Sequence, residues 1–263
     1  MVNIRQRLRE AQDSPDREAT SPKWERPFET LREKWTEVPT DFVRVRVSQL
    51  LQLEDRELLR VWEEMREAAL TGEQFGRRGW YHMLYEPLLR GARLIDLGSG
   101  LGMDGLSFAA GAESVTFVDV ASENLALLKR IAGLKRLNNV SFILVEHFES
   151  LRSLGSVYDV ILASGSLHNA PQHVIKREVA ELAPRLKIGG RWLQLAYPKE
   201  RWERDGRPAF SKWGEYTDGK APWVEWYDLP KLLSMFEPLR FEPLMAFTYR
   251  DYEFNWFDLV RRT

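Results

Sequence analysis

The stretch Leu94-Ile95-Asp96-Leu97-Gly98-Ser99-Gly100-Leu101-Gly102 decides how the rest of the chain is read. The apolar residues Leu94, Ile95 and Leu97 read as a short buried strand over 93–97. The glycines that follow make a turn where backbone can approach a ligand that a side chain would hit. A helix expected over 103–110, closed by Gly111, aims its free N–H groups at the same place. A dinucleotide site requires G-x-G-x-x-G, which seats a pyrophosphate on that helix. Gly98 and Gly100 are in step with it, but Met103 stands where the third glycine belongs, and the third glycine is Gly102. Asp96, two residues before the turn, suits a cationic ligand better than a pyrophosphate, because a buried carboxylate at a strand end can receive an amino group. The next expected strand, 114–119 (SVTFVD), ends on Asp119, at the position that meets ribose hydroxyls in open α/β folds.

Working outward, a helix starting at Ser122 carries Leu125, Leu128, Ile131 and Leu134 along one face. Strands are expected over 140–145, 158–163 and 191–196, with a helix from Pro171 to about 187 and a Gly189-Gly190 turn before the last of them. Strands alternating with helices imply a parallel sheet covered on both faces. The alternation breaks near the C-terminus. After a helix over 229–236, runs at 244–249 and 253–260 are separated only by Arg250, Asp251 and Tyr252, a hairpin length, so these two are antiparallel. Upstream, residues 1–40 are polar and broken by Pro15, Pro22, Pro27 and Pro39, which reads as an extended or partly ordered arm. From an N-cap at Asp55, Leu58, Leu59, Trp62, Met65 and Ala69 share a helical face that Thr71-Gly72 ends. Residues 76–90 (GRRGWYHMLYEPLLR) read as a loop and a short helix. The expected architecture is therefore α/β and Rossmann-like. It has a seven-stranded, mostly parallel sheet with a C-terminal antiparallel hairpin and an N-terminal helical extension over 1–75. The main domain spans 76–263, with a tryptophan-rich insertion over 198–227.

Composition narrows the function. Lys+Arg of 38 against Asp+Glu of 39 gives a net charge of -1, so no global field holds a polyanion, which weighs against a nucleic-acid partner. The absence of cysteine removes disulfides, cysteine zinc sites, iron–sulfur clusters and any covalent route through a thiolate. No apolar run approaches the roughly 18 residues of a membrane span, and the first residues lack the apolar core of a signal peptide, so a cytoplasmic protein is expected. His82, His147, His168 and His173 show no metal-ligand spacing with acids, so no metal site is expected.

At these residues the chain resembles the class I S-adenosylmethionine (SAM) dependent methyltransferases. LIDLGSGLG looks like the family's first motif and VTFVD its second. YDVILASGSLHN is similar to its fourth strand and following loop, and LAPRLKIGGRWLQLAYP to the stretch leading into its fifth. The closing hairpin is likewise the family's, and dinucleotide folds lack it. The resemblance covers about 90–263 and implies SAM as cofactor, with S-adenosylhomocysteine as product. By the same resemblance, Asp96 and the turn Gly98, Ser99, Gly100 and Gly102 would hold the methionine part. Asp119 would accept the ribose hydroxyls and Val120 would pack on adenine. Glu146, with His147 and Phe148 beside it, would either read the adenine amino group or form an ordinary solvated strand end. Ser164 would line the methionine end. Tyr81 or His82, in the piece that often folds over SAM, would touch cofactor or substrate, or else pack on the core with Trp80.

Methyl transfer is an in-line displacement on an already activated cofactor, so position and exclusion of water do most of the work, and a base is needed only if the acceptor must lose a proton. The candidate is His168, in the loop Ser164-Gly165-Ser166-Leu167-His168-Asn169 at the carboxyl edge of the sheet. It is either catalytic or a structural histidine that caps the next helix or closes over the cofactor. Asn169 would be that helix's N-cap. The insertion, with Trp202, Trp213, Trp223 and Trp226, is expected to form a lid together with the N-terminal helices. The expected function is methyl transfer to an oxygen or nitrogen of a small molecule. Other SAM chemistry on the same fold, or a non-catalytic partner protein, are the alternatives.

Overall fold

The computed structural model describes residues 19–37, 45–155, 157–217 and 223–263. Most of the expected arm over 1–40, including Pro15 and Pro39, lies outside them.

Five strands run parallel: β1 (Arg93–Leu97), β2 (Ser114–Asp119), β3 (Val140–Leu144), β4 (Tyr158–Ser164) and β5 (Leu186–Pro198). A two-residue strand, β6 (Trp226–Tyr227), adds to the end of β5 in parallel. β7 (Phe241–Tyr249) and β8 (Phe254–Arg261) form the closing hairpin, with β8 antiparallel to both β5 and β7. The order β3-β2-β1-β4-β5-β8-β7 is the expected seven-stranded path, and β6 makes an eighth strand that is too short to carry a periodic signal. Leu94, Ile95, Val115, Phe117 and Val118 are all fully buried, as continuous apolar runs should be in strands covered on both faces.

The helices are α1 (Pro27–Glu37), α2 (Val47–Leu51), α3 (Asp55–Leu70), α4 (Trp80–Tyr85), α5 (Gly105–Phe108), α6 (Ser122–Leu134), α7 (Gln172–Leu182), α8 (Lys199–Arg204), α9 (Phe210–Trp213) and α10 (Leu229–Ser234). One core lies beneath α3 to α6, around Trp62, Tyr81, Leu106 and Leu128. The other gathers Phe28 of α1, Ile175 of α7 and Leu232 of α10 on the opposite face.

Several helix starts differ from expectation. Asp55 is the first helical residue and Glu54 the cap, because the Asp55 carboxylate is taken by Arg130 Nε at 2.8 Å. α6 begins after Ala121 rather than being capped by Ser122. The Ala121 N–H donates to Asp119 Oδ1 at 2.9 Å, which ties this helix to the end of β2. Pro171 is the N-cap of α7, so Asn169 does not cap it; its amide donates to Ser166 O at 3.3 Å instead. The helix after the glycine turn shrinks to the four residues of α5.

The hairpin is anchored from the far side of the sheet. Asp258 of β8 is fully buried. Its Oδ2 accepts from Tyr85 OH at 2.5 Å, its Oδ1 accepts from Arg191 Nε at 3.0 Å, and Trp256 Nε1 donates to Tyr85 OH at 3.1 Å. The described part of the insertion is packed against the domain. Trp213 is fully buried and donates to Asp205 Oδ2 at 2.9 Å, while Trp202 stacks on Trp226 with centroids 5.6 Å apart. Among the described residues no helix is long and apolar enough to cross a membrane.

Candidate cofactor and acceptor site

The sheet order steps from β1 to β2 on one side and to β4 on the other, so the carboxyl ends of these strands open a crevice. A cavity of about 290 Å³ occupies it. Of the expected site residues, Asp96, Gly98, Ser99, Gly100, Asp119, Val120, Ser164 and His168 line this cavity.

Gly98 sits at φ +66, and a Cβ there would stand 2.4 Å from Ser166 Cβ. Glycine is thus required both by the backbone and by the approach of the loop after β4. Gly102 is set back from the cavity and allows Leu128 of α6 to close against the turn. Behind the wall stands a glycine that sequence reasoning missed, Gly105. Its N–H donates to Asp96 Oδ2 at 3.0 Å, and a Cβ there would lie 2.4 Å from the same oxygen. The Asp96 carboxyl has no other hydrogen-bond partner among the described residues. Burial, and then the Asp104 charge, push its pKa well up. It is a carboxylate placed for a cation.

Asp119 holds the turn as well as facing the cavity. Its Oδ2 accepts from Gly100 N at 2.9 Å and Asn124 Nδ2 at 3.0 Å. Both lone pairs of Oδ2 are thus engaged, and Oδ1 accepts from Ala121 N at 2.9 Å.

Asp104, also missed in the sequence, collects three donors. Arg78 Nη1 lies 2.7 Å from Oδ2, Tyr81 OH donates to Oδ1 at 2.8 Å, and His82 Nε2 lies 2.6 Å from Oδ1. Burial works against its charge, but Arg78, His82 and Tyr81 together hold it well below the usual carboxylate range. Tyr81 itself stands behind the wall and reaches the site through Ser164 Oγ, 3.0 Å from its hydroxyl. Trp80 packs with Phe247, Tyr249 and Trp256, so for this residue the packing alternative holds.

Glu146, His147 and Phe148 are not brought to the cavity. Glu146 and His147 are exposed, with His147 Nδ1 accepting from Ser150 N at 3.1 Å as a helix cap. Phe148 turns inward against Phe28, centroids 4.8 Å apart. At the corresponding edge of the cavity stand Val145 and, from α1, Leu31 and Trp35. α1 is fastened there by Arg32 Nε, which donates to Val120 O at 3.0 Å. Nothing in the polar composition of this segment signalled that role.

His168 is 5% exposed, and its Nδ1 has no partner. Burial, and then the Arg77 charge, push its pKa down to about 3, so it is neutral at physiological pH and a weak base. Ser166 Oγ and Asn169 Oδ1, in the same loop and on the same wall, are also buried without partners. Tyr197 from β5, and Thr217 and Val224 from the insertion, complete this end. Glu178 of α7 faces the cavity too, and burial pushes its pKa up to about 7.

The residues present fit SAM. An unpaired carboxylate, Asp96, faces the place for an ammonium, and a second acid, Asp119, faces the place for a diol. At Gly100 nothing stands within 4 Å of where a Cβ would be. A crevice of this kind, on an open sheet that ends in an antiparallel hairpin, is suited to a nucleoside cofactor with an ammonium group.

Comparison with known proteins narrows the class. Residues 94–190 match the family model described as a methyltransferase domain. Ribosomal RNA small subunit methyltransferase G of Coxiella burnetii is 32% identical over 121 residues, which is 43% of this chain and 54% of that protein. The chain therefore spans about half the length of the curated relatives it matches. Among solved structures, the YcgJ protein from Bacillus subtilis superposes with a TM-score of 0.54 at 16% identity, over 71% of this chain and 100% of that one. The 1,6-didemethyltoxoflavin-N1-methyltransferase of Burkholderia thailandensis, with bound 1,6-didemethyltoxoflavin and S-adenosylhomocysteine, gives 0.53 at 17% identity, over 82% and 88%. At such identities the likeness is one of fold. The 94–190 segment is thus similar to a methyltransferase domain, and the fold around it is one shared with a methyltransferase of known structure.

Proposed function

We propose that this protein transfers the methyl group of SAM to an oxygen or nitrogen of a small-molecule acceptor. The observation that carries the reading is that cofactor-type residues (Asp96, Gly100, Asp119) and the partnerless polar atoms of the His168 loop line one cavity. SAM, when bound, supplies an activated methyl group. Asp96 receives the ammonium, Asp119 the ribose hydroxyls, and Val120 with Leu31 and Trp35 the adenine face. His168, Asn169 and Tyr197 hold the acceptor atom in line. α1 and the 198–227 insertion cover the site and exclude water. Residues 76–263 are thus the cofactor domain, and the segments before them belong to the cover. The Coxiella relative favours a second reading, in which the acceptor is a nucleotide base swung out of its strand into the cavity. The near-neutral charge and the roof over the cavity weigh against it.

The test is calorimetric titration with SAM and S-adenosylhomocysteine, repeated with Asp119→Ala. Binding in the micromolar range, about 8 kcal/mol, is expected for the wild type. The variant should lose about 1.5–3 kcal/mol or more, since Asp119 also pins Gly100. A folded wild-type protein that binds neither compound would overturn the reading. S-adenosylhomocysteine release with small acceptors but not with RNA separates the two acceptor classes. Deleting 198–227 is a poor test of the cover, because Trp213 and β6 belong to the core; substitutions at Thr217 and Val224 reach the wall without opening it.

A further inference from the structure

The π-helical turn Phe75–Gly79 carries two arginines with opposite fates. Arg78 is spent on Asp104. Arg77 has no ion pair or hydrogen bond to its guanidinium among the described residues, although it lines the cavity and is half-buried. It is nevertheless held in place. Its backbone carbonyl accepts from Tyr249 OH at 3.0 Å, and its guanidinium stands 5.0 Å from the centre of the Phe254 ring. No carboxylate on the wall cancels it. Asp104 is paired with Arg78, and Asp96, Asp119 and Glu178, which line the same wall, make no ion pair with Arg77 among the described residues. On the same wall the buried His168 offers an Nδ1 with no partner, and burial, with the Arg77 charge adding to it, holds the ring neutral. A half-buried cation, held in orientation and without an ion-pair partner on a wall shared with a neutral hydrogen-bonding ring, is the receptor chemistry for an anion.

We propose that Arg77 binds an anionic group on the methyl acceptor, a carboxylate or an ionised acidic hydroxyl, which sits between its guanidinium and the His168 imidazole. This rests on the methyl-transfer reading and deepens it. An acceptor that arrives ionised needs no strong base, and His168 is a poor one. The histidine then acts as a hydrogen-bonding and positioning group. A carboxylate acceptor gives an ester product that alkali cleaves, and an acidic hydroxyl gives an ether that alkali leaves intact, so the product distinguishes the two sources.

The experiment uses the full chain loaded with S-adenosylhomocysteine, titrated with benzoate, 4-nitrophenolate and the neutral control benzamide. At least one anion should bind about tenfold or more tightly than benzamide, a preference that Arg77→Met abolishes and Arg77→Lys partly keeps. Arg77→Gln serves if the methionine variant does not fold, and S-adenosylhomocysteine affinity should be unchanged in every folded variant. Equal or better binding of benzamide, binding of no probe up to the solubility limit, or an anion preference that survives loss of the guanidinium overturns the proposal. If the wild type binds no S-adenosylhomocysteine, the methyl-transfer reading falls and this inference with it. If it binds that compound normally without anion preference, only the inference falls.

Discussion

Asp96 illustrates how one side chain can be legible in its identity and hidden in its chemistry. Its place two residues before the glycine turn marked it as a cation receptor. The structure adds that burial and the nearby Asp104 raise its pKa. A raised acid is protonated over part of the neutral range, and an arriving ammonium favours the ionised form, so binding of SAM must expel a proton there. The expected outcome is net proton release at pH 7, abolished in Asp96→Asn. Calorimetry of SAM binding in buffers of different ionisation enthalpy measures it, and zero or inward proton flux would sink the assignment. Asp104 was illegible because its value comes from Arg78, Tyr81 and His82, which lie more than twenty positions earlier in the chain and meet it only in space. Glu146 failed for the complementary reason. The chain beyond β3 turns its side chain out to solvent, and strand periodicity carries no information about where a strand ends.

At the scale of elements, the parallel strands and the hairpin could be read because their apolar runs and turn lengths are local signals. β6 and the short α5 could not, since two or four residues carry no period. The hairpin's anchor was also invisible. An aspartate in a terminal strand looks like a surface residue, yet Asp258 is fully buried and shared by Tyr85 and Arg191. Removing it leaves a half-buried guanidinium and a buried hydroxyl without their acceptor. Asp258→Ala should therefore cost about 3–5 kcal/mol in denaturant unfolding, with SAM affinity in the surviving folded protein close to that of the wild type. A loss under about 1 kcal/mol would mean that the cluster does not hold β8 to the far face of the sheet.

For the whole molecule, the notable relation is between the two ends of the chain's cover. The segment preceding α1 and the helix itself touch both rims of the cavity. Phe28 and Arg32 grip the side of Phe148 and Val120, while Trp24 packs on Phe210 and Trp223 of the insertion, with centroids 6.2 and 5.0 Å apart. This was out of reach of the sequence, because a polar segment interrupted by prolines gives no hint of which distant aromatic rings it will meet. A strap fixed at both rims makes the comings and goings of two ligands a single event. If the proposed reaction runs here, spent cofactor and product would leave past this strap, and the rate of repeated turnover would then be a property of this helix rather than of the bond being made. A first, fast round followed by slower cycles is the expected time course in quenched-flow measurements. Arg32→Ala, which unfastens the strap from Val120, should raise the slow rate while leaving the first round nearly unchanged, and identical time courses in the two proteins would count against it. The helix would then act as the clock of the molecule, setting how often it works and leaving the outcome of each cycle to the residues beneath it.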